Sequence, residues 1–354
     1  PKLRAMGGCE GRQAILASAP LPEDPKSYCE YNGNGPWYRC MPDVEMPQRL
    51  APTGPSSRET PCTTVPALLM QIAAGSKCDK DFLLVEREMP KLDEEGKAPP
   101  AFPRESWTKW SWKQAIMDAR TAAKGLIKLG VQEFDSVNVW GFNAPEWHLA
   151  SYAANFAAAK VAGLYPTDTP ETAAYKVVHS GGAVVVLEDR AKVDKLAKAL
   201  SARGDAKRVK AFVAYGFVPG PDETLDIVGC GTVPLMAWAS LLKMGVDLAN
   251  GDEEVDARMA RVHPGHCAAL IYTSGTTGDP KAVMISHDNI IFEATMVMHV
   301  IRDQQGVGRI AEEERGLSYL PLSHVAGMMV DIIMPTIITN FTPGWVTVFF
   351  ARPY

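Results

Sequence analysis

The sequence predicts an α/β fold: doubly wound, mostly parallel sheets with helices on both faces. Three observations predict it. Strand-like and helix-like segments alternate from Ser136 to Ala214, and that alternation implies parallel strands joined by helical crossovers. Ala183-Val184-Val185-Val186-Leu187 is apolar at every position, as a parallel strand covered on both faces tends to be. The helical segments carry start and stop signals: Ser111 with Gln114, Thr169 before Pro170 and Glu171, and Gly130 and Gly181-Gly182 at the ends.

Taken in order, residues 1–60 are rich in Pro, Gly, Ser and charge, and read as an extension of low order. Glu10 and the lack of an amphipathic pattern argue against a transit peptide there. Val65–Met70 opens a helix with Pro66 in its first turn. Phe82–Val85 is a strand, and Glu88–Arg104 a loop. The capping box at Ser111 starts a helix that runs to Leu129. Trp107, Trp110 and Trp112 read as packing at the helix entry.

Ser136–Trp140 is a strand, and Asn143, with Glu146 three residues on, is expected to cap a helix ending at Gly163. Leu164-Tyr165 is a short strand. A helix from Thr169 to Gly181, the strand at Ala183, a basic helix over about 191–202 and the strand Ala211–Ala214 follow. An acidic stretch, Asp247–Asp256, leads to Cys267–Ile271. Ser286 is a helix N-cap with Asp288 in its first turn. Asp303–Arg315 reads as a polar loop and Leu317–Leu320 as a strand. Val325–Ile338 is helix-like despite Pro335, and Val346–Phe350 is a strand.

With 46% hydrophobic and 22% charged residues, the 354-residue chain is globular and long enough for one large or two ordinary domains. A net charge of -5 gives no sign of a nucleic-acid partner. No apolar run reaches membrane-spanning length. Seven cysteines, odd in number and without C-x-x-C pairs, read as free thiols in a reducing compartment. The histidines show no metal-ligand spacing, and His263-Pro264-Gly265-His266 reads as a loop.

The stretch that carries chemistry is Thr273-Ser274-Gly275-Thr276-Thr277-Gly278-Asp279-Pro280-Lys281, set between two short apolar runs. Strand, loop, strand is the reading. Gly275 and Gly278 can take positive φ and let the backbone approach a ligand. Successive N–H groups in such a loop make an anion-binding concavity. Ser274, Thr276 and Thr277 add hydroxyl donors and Lys281 a positive charge. The loop is not a Walker loop: no glycine precedes the lysine, no Ser or Thr follows it, and a strand rather than a helix comes next. Ser323-His324 has neither an acid partner nor a G-x-S-x-G elbow to support a hydrolase. On the residues alone, His324 stands equally well as a structural histidine.

The stretch Thr273–Lys281 resembles the nucleotide-loop signature of the adenylate-forming enzymes. Val283-Met284-Ile285-Ser286, Asp288-Asn289-Ile290, Ser318–His324 and Gly141–Trp147 make the chain, from about Pro61 onward, similar to bubblegum-type long-chain and very-long-chain acyl-CoA synthetases. Ala282 departs from the family's usual glycine after the lysine; alanine fits a strand start.

The resemblance implies an AMP-binding large domain over residues 61–354, with a small C-terminal domain lying outside the chain. It implies ATP, Mg2+ and coenzyme A as co-substrates, with a fatty acid to be activated, and it places His324 by the acyl carboxylate and AMP. It also implies a cytoplasmic protein, peripheral to an intracellular membrane at most, with no obligate protein partner. Because the family's adenine-binding and magnesium-binding segments and its adenylation lysine lie downstream, the chain alone is expected to be inactive or nearly so. The competing readings are a non-catalytic nucleotide-binding fragment and an adenylate-forming ligase for another carboxylic acid.

Overall fold

A computed structural model of the chain describes residues 63–273, 278–304 and 311–352. The extension expected over residues 1–60 lies outside these. The described elements, in order, are α1 (Val65–Ala74), β1 (Asp81–Val85), β2 (Thr108–Ser111), α2 (Trp112–Lys128), β3 (Ser136–Trp140), α3 (Pro145–Phe156), β4 (Lys160–Leu164), α4 (Pro170–Ser180), β5 (Gly182–Leu187), α5 (Arg190–Arg203) and β6 (Ala211–Ala214). Then come β7 (Thr224–Ile227), β8 (Gly231–Ala237), α6 (Trp238–Val246), α7 (Gly251–Arg261), β9 (Cys267–Thr273), β10 (Lys281–Ser286), α8 (His287–Gln304) and β11 (Glu313–Ser318). One α turn (Val325–Gly327), a π-helical stretch (Met328–Ile333), α9 (Met334–Phe341) and β12 (Trp345–Phe350) complete them.

Two sheets result. The larger has eight strands in the order β10-β9-β4-β3-β5-β6-β8-β7 and is parallel except for its antiparallel edge strands β10 and β7. The smaller has the order β11-β12-β1-β2. Alternate residues of β5 explain the double winding. Val184 and Val186 join one core with α1, α2, α3 and the smaller sheet, while Val185 and Leu187 join another with α4 and α5. Each such side chain, fully buried, contributes roughly 1.5–3 kcal/mol.

The capping signals form as expected at three places. Ser111 and Gln114 make a reciprocal box at α2, Thr169 accepts from Thr172 N at α4, and Ser286 accepts from Asn289 N at α8. Trp112 is buried and stacked on Phe82 with ring centroids 3.6 Å apart.

Several expectations are corrected. Asn143 does not cap α3; Ala144 holds that place without a side-chain bond, and the Asn143 amide reaches elsewhere. Helix α3 stops at Phe156 rather than Gly163, because Lys160–Leu164 is drawn into the sheet beside β3. The edge hairpin β7–β8 and helix α6 were not read from the sequence. The acidic stretch belongs largely to α7, whose first turn carries Asp252, Glu253 and Glu254 and whose last turn carries Arg258 and Arg261. Both placements suit the helix dipole. Strand β11 starts at Glu313, inside the expected polar loop, because Glu313 is held by Arg104 (2.5 Å) and by Thr347 Oγ1 (2.7 Å). Pro335 is accommodated at the start of α9, directly after the π-helical stretch.

Candidate nucleotide-binding site

The site lies at the carboxyl ends of the parallel strands. β3 is flanked by β4 on one side and β5 on the other, so the chain's winding reverses there. In open α/β sheets ligands bind in the crevice outside the carboxyl ends at such a switch point. Three loops open onto that edge: after β3 at Gly141–Asn143, after β4 at Tyr165–Thr169, and after β9 at Thr273.

β9 and β10 pair antiparallel with Lys281 opposite Thr273. The loop is therefore a hairpin connection whose two ends are both exposed. Of the residues read as a phosphate cradle, Thr273, Gly278, Asp279, Pro280 and Lys281 are described; Ser274, Gly275, Thr276 and Thr277 lie outside the described residues. Gly278 has φ +96°, and a Cβ there would meet no atom within 4 Å. Glycine is required at that position by backbone conformation, not by crowding. Ala282 sits opposite Tyr272 without disturbing the register.

Beneath the hairpin is a compact polar network. Tyr165 Oη donates to the Tyr272 carbonyl at 3.3 Å. Tyr272 Oη donates to the Lys176 carbonyl at 3.1 Å and lies 3.0 Å from His179 Nδ1. The Lys176 ammonium, 2% exposed, is held by both Asp168 oxygens at 2.6 and 2.8 Å. It also lies 4.7 Å from the Tyr165 ring centroid and 5.4 Å from that of Tyr272. Burial lowers the Lys176 pKa, and Asp168 works against that shift. Burial also raises the Tyr165 and Tyr272 hydroxyls above their ordinary range, so both stay protonated donors.

His324 stands at the same edge. Its ring is 6.3 Å from that of Tyr165, edge to face. Tyr165 therefore joins the strand that carries the hairpin to the turn that carries His324. The Nδ1 atom of His324 accepts from Ala326 N at 3.1 Å, capping the following helical turn. In the neutral ring that leaves the proton on Nε2, as a donor. No Ser323–His324 hydrogen bond is present: Ser323 is buried and its hydroxyl has no partner among the described residues.

The turn is fixed from two sides. Asn143 Nδ2 donates to Ser318 Oγ at 2.9 Å and to the Leu320 carbonyl at 2.8 Å, and its Oδ1 accepts from Leu322 N at 3.3 Å. On β4, a Cβ at Gly163 would lie 2.7 Å from Ser323 Cα. Only glycine lets the turn pack so closely on the sheet.

Tyr165, Lys176 and Asn143 were missed as site residues. Tyr165 and Lys176 carry no motif. Asn143 carried a signal, but the local capping pattern masked its long-range role. His263 and His266 stack with centroids 5.1 Å apart, and His266 Nδ1 accepts from His263 N. Among the described residues no group of three or more His, Cys, Asp or Glu side chains could hold a metal ion, and no helix is long and apolar enough to cross a membrane.

Comparison with known proteins agrees with this fold. Residues 93–340 match the model of the AMP-binding enzyme family. The long-chain-fatty-acid–CoA ligase ACSBG2 of Xenopus laevis is 34% identical over 228 residues, 64% of this chain and 29% of that protein. The mouse protein of the same name is 30% identical over 315 residues, 88% of this chain and 40% of its own length. The chain thus spans well under half the length of these relatives. A solved structure described as a putative long-chain-fatty-acid CoA ligase from Rhodopseudomonas palustris CGA009 has the same fold, with TM-score 0.58 and 18% identity over 82% of this chain and 58% of that one. From the extent of the family match and from these relatives, the chain belongs to the AMP-binding enzyme family and resembles its bubblegum-type branch.

Proposed function

We propose that this chain is the phosphate-holding part of a long-chain fatty acid–CoA ligase. Thr273–Lys281 would hold the β- and γ-phosphates of ATP through backbone N–H groups, the hydroxyls of Ser274, Thr276 and Thr277, and the Lys281 ammonium. The single observation that supports this most is the convergence of the β9–β10 hairpin and His324 through Tyr165 at one sheet edge.

A carboxylate is a poor acyl donor because its leaving group would be oxide. In the proposed reaction a carboxylate oxygen attacks the α-phosphorus, and the bond to the β-phosphate oxygen breaks, giving acyl-adenylate and pyrophosphate. The thiolate of coenzyme A then attacks the acyl carbon and AMP leaves. Charge builds on phosphoryl oxygens in the first step, so donors fixed beforehand lower its barrier. Lys281 and the loop amides face the leaving pyrophosphate in this reading. His324 Nε2–H is offered to the acyl or α-phosphoryl oxygen, its ring held by the Ala326 N–H. Magnesium would neutralise the phosphates when bound with the nucleotide.

The name shared by the curated relatives favours a fatty acid over another carboxylic acid. Non-hydrolysable acyl-sulfamoyl adenosines test this. A hexadecanoyl analogue should raise the melting temperature more than its acetyl or aminoacyl counterpart. Equal shifts would support a ligase for another acid, and no shift from any analogue, together with no amide shift at Gly278 or Asp279 on adding MgATP, would contradict the nucleotide-site reading.

A further inference from the structure

We infer a second anion site at the opposite, amino-terminal edge of the eight-stranded sheet, shaped for a phosphate-bearing small molecule or headgroup. It is independent of the function proposed above. A cavity of about 760 Å³ opens where β3, β4, β5 and β6 begin, lined among others by Phe134, Asp135, Lys160, Lys207, Arg208 and Lys210. A five-residue strand rises roughly 16 Å from end to end, so this cavity and the hairpin loop lie a strand's length apart.

The charges at this edge are unbalanced. Glu133 is engaged by Arg261 at 2.6 Å, and Asp135 by Arg208 at 3.3 Å. Lys207 and Lys210 have no carboxylate within ion-pair distance among the described residues, and both line the cavity. Lys160, only 2% exposed, lines it too and donates to the Phe134 carbonyl. The rim is conformationally costly. Phe134 (φ 63°) and Ala158 (φ 59°) are non-glycine residues in the left-handed region, and Phe134 N donates to the Ala158 carbonyl. Such strain concentrates where a structure serves a ligand. Two ammonium groups and a guanidinium around a half-open cavity fit the oxygens of a phosphate or pyrophosphate, which accept several charge-assisted hydrogen bonds at once.

Titration of the chain with inorganic pyrophosphate, followed by amide NMR, tests this. Saturable shifts are expected at Asp135, Gly181 and Lys207, separate from any at Gly278 and Asp279. The double variant K207A/K210A should weaken the first set about tenfold or more and leave the second unchanged; K281A should do the reverse. K207R/K210R should retain binding, and its melting temperature should match that of the parent. Cosedimentation with phosphatidylserine vesicles separates the two sources of phosphate. Vesicle binding lost in K207A/K210A, without pyrophosphate shifts, assigns the site to a lipid headgroup. Absence of both, or pyrophosphate and vesicle binding untouched by K207A/K210A, overturns the inference.

Discussion

The two edges of the eight-stranded sheet each bury a lysine to 2% exposure, in different surroundings. At the carboxyl edge, Lys176 is closed off by Asp168 and by the rings of Tyr165 and Tyr272, so its charge is internal to the scaffold. At the amino edge, Lys160 donates to a backbone carbonyl, among other contacts, beside a cavity where Lys207 and Lys210 have no carboxylate within ion-pair distance among the described residues. A buried cation with a carboxylate partner is architecture, while cations gathered around an opening are a binding surface. The charge proposed to meet a ligand at the carboxyl edge is instead the exposed Lys281, carried on a hairpin built over the closed pair.

The largest expected effect breaks the closed pair. D168N leaves the Lys176 ammonium buried without its counter-charge and should cost about 3–5 kcal/mol of stability. Denaturant unfolding measures it. A loss under about 1 kcal/mol would mean that Lys176 behaves as a solvated surface cation and that the contrast between the edges fails.

Acid titration comes next. Burial holds His148 at about 4 and His287 at about 3. Both are depressed below the ordinary histidine value, so the unfolded chain takes up protons that the native state refuses. Their contribution is complete above about pH 6.5 and is lost as pH falls toward 4 and 3. For His148 that amounts to roughly 3 kcal/mol. Asp331, raised to about 6 by burial, acts in the opposite sense. Its contribution is present at low pH and is lost as pH rises through 6. Melting temperature should therefore fall with acid, less steeply in H148Q and more steeply in D331N.

A smaller effect is expected where the His324 turn is laced to the scaffold. N143A removes three hydrogen bonds to Ser318, Leu320 and Leu322 and should cost about 1–3 kcal/mol, read by thermal unfolding. The amide resonances of Leu322 and His324 should shift with it. An unchanged turn would show that Gly163 and its close packing suffice.

Much of this was readable from the sequence where the signal is local. Ser111 with Gln114, Thr169 with Pro170, and the two runs flanking Thr273–Lys281 each announce an element within a few residues. What failed was long-range. The edge hairpin β7–β8 was missed because its signal is short: Thr224-Leu225-Asp226-Ile227 alternates over only four residues, and Pro234 interrupts β8. Asn143 satisfies a capping rule on paper, yet its amide bonds residues about 175 positions away. The proposed phosphate loop could be singled out because its candidate groups are concentrated in nine consecutive residues. The Tyr165–Tyr272–Lys176 network beneath it could not, because it is assembled from three elements that only the sheet brings together.

The most direct test is MgATP binding by the chain and by K281A, measured by calorimetry. Lys281 is exposed, so K281A should change stability by less than about 0.5 kcal/mol. It should weaken MgATP about tenfold, roughly 1.4 kcal/mol, with shifts at Gly278 and Asp279 lost in parallel. Binding of equal strength in the parent chain and K281A, with Gly278 and Asp279 unmoved by nucleotide, would contradict the assignment of this hairpin as the phosphate site.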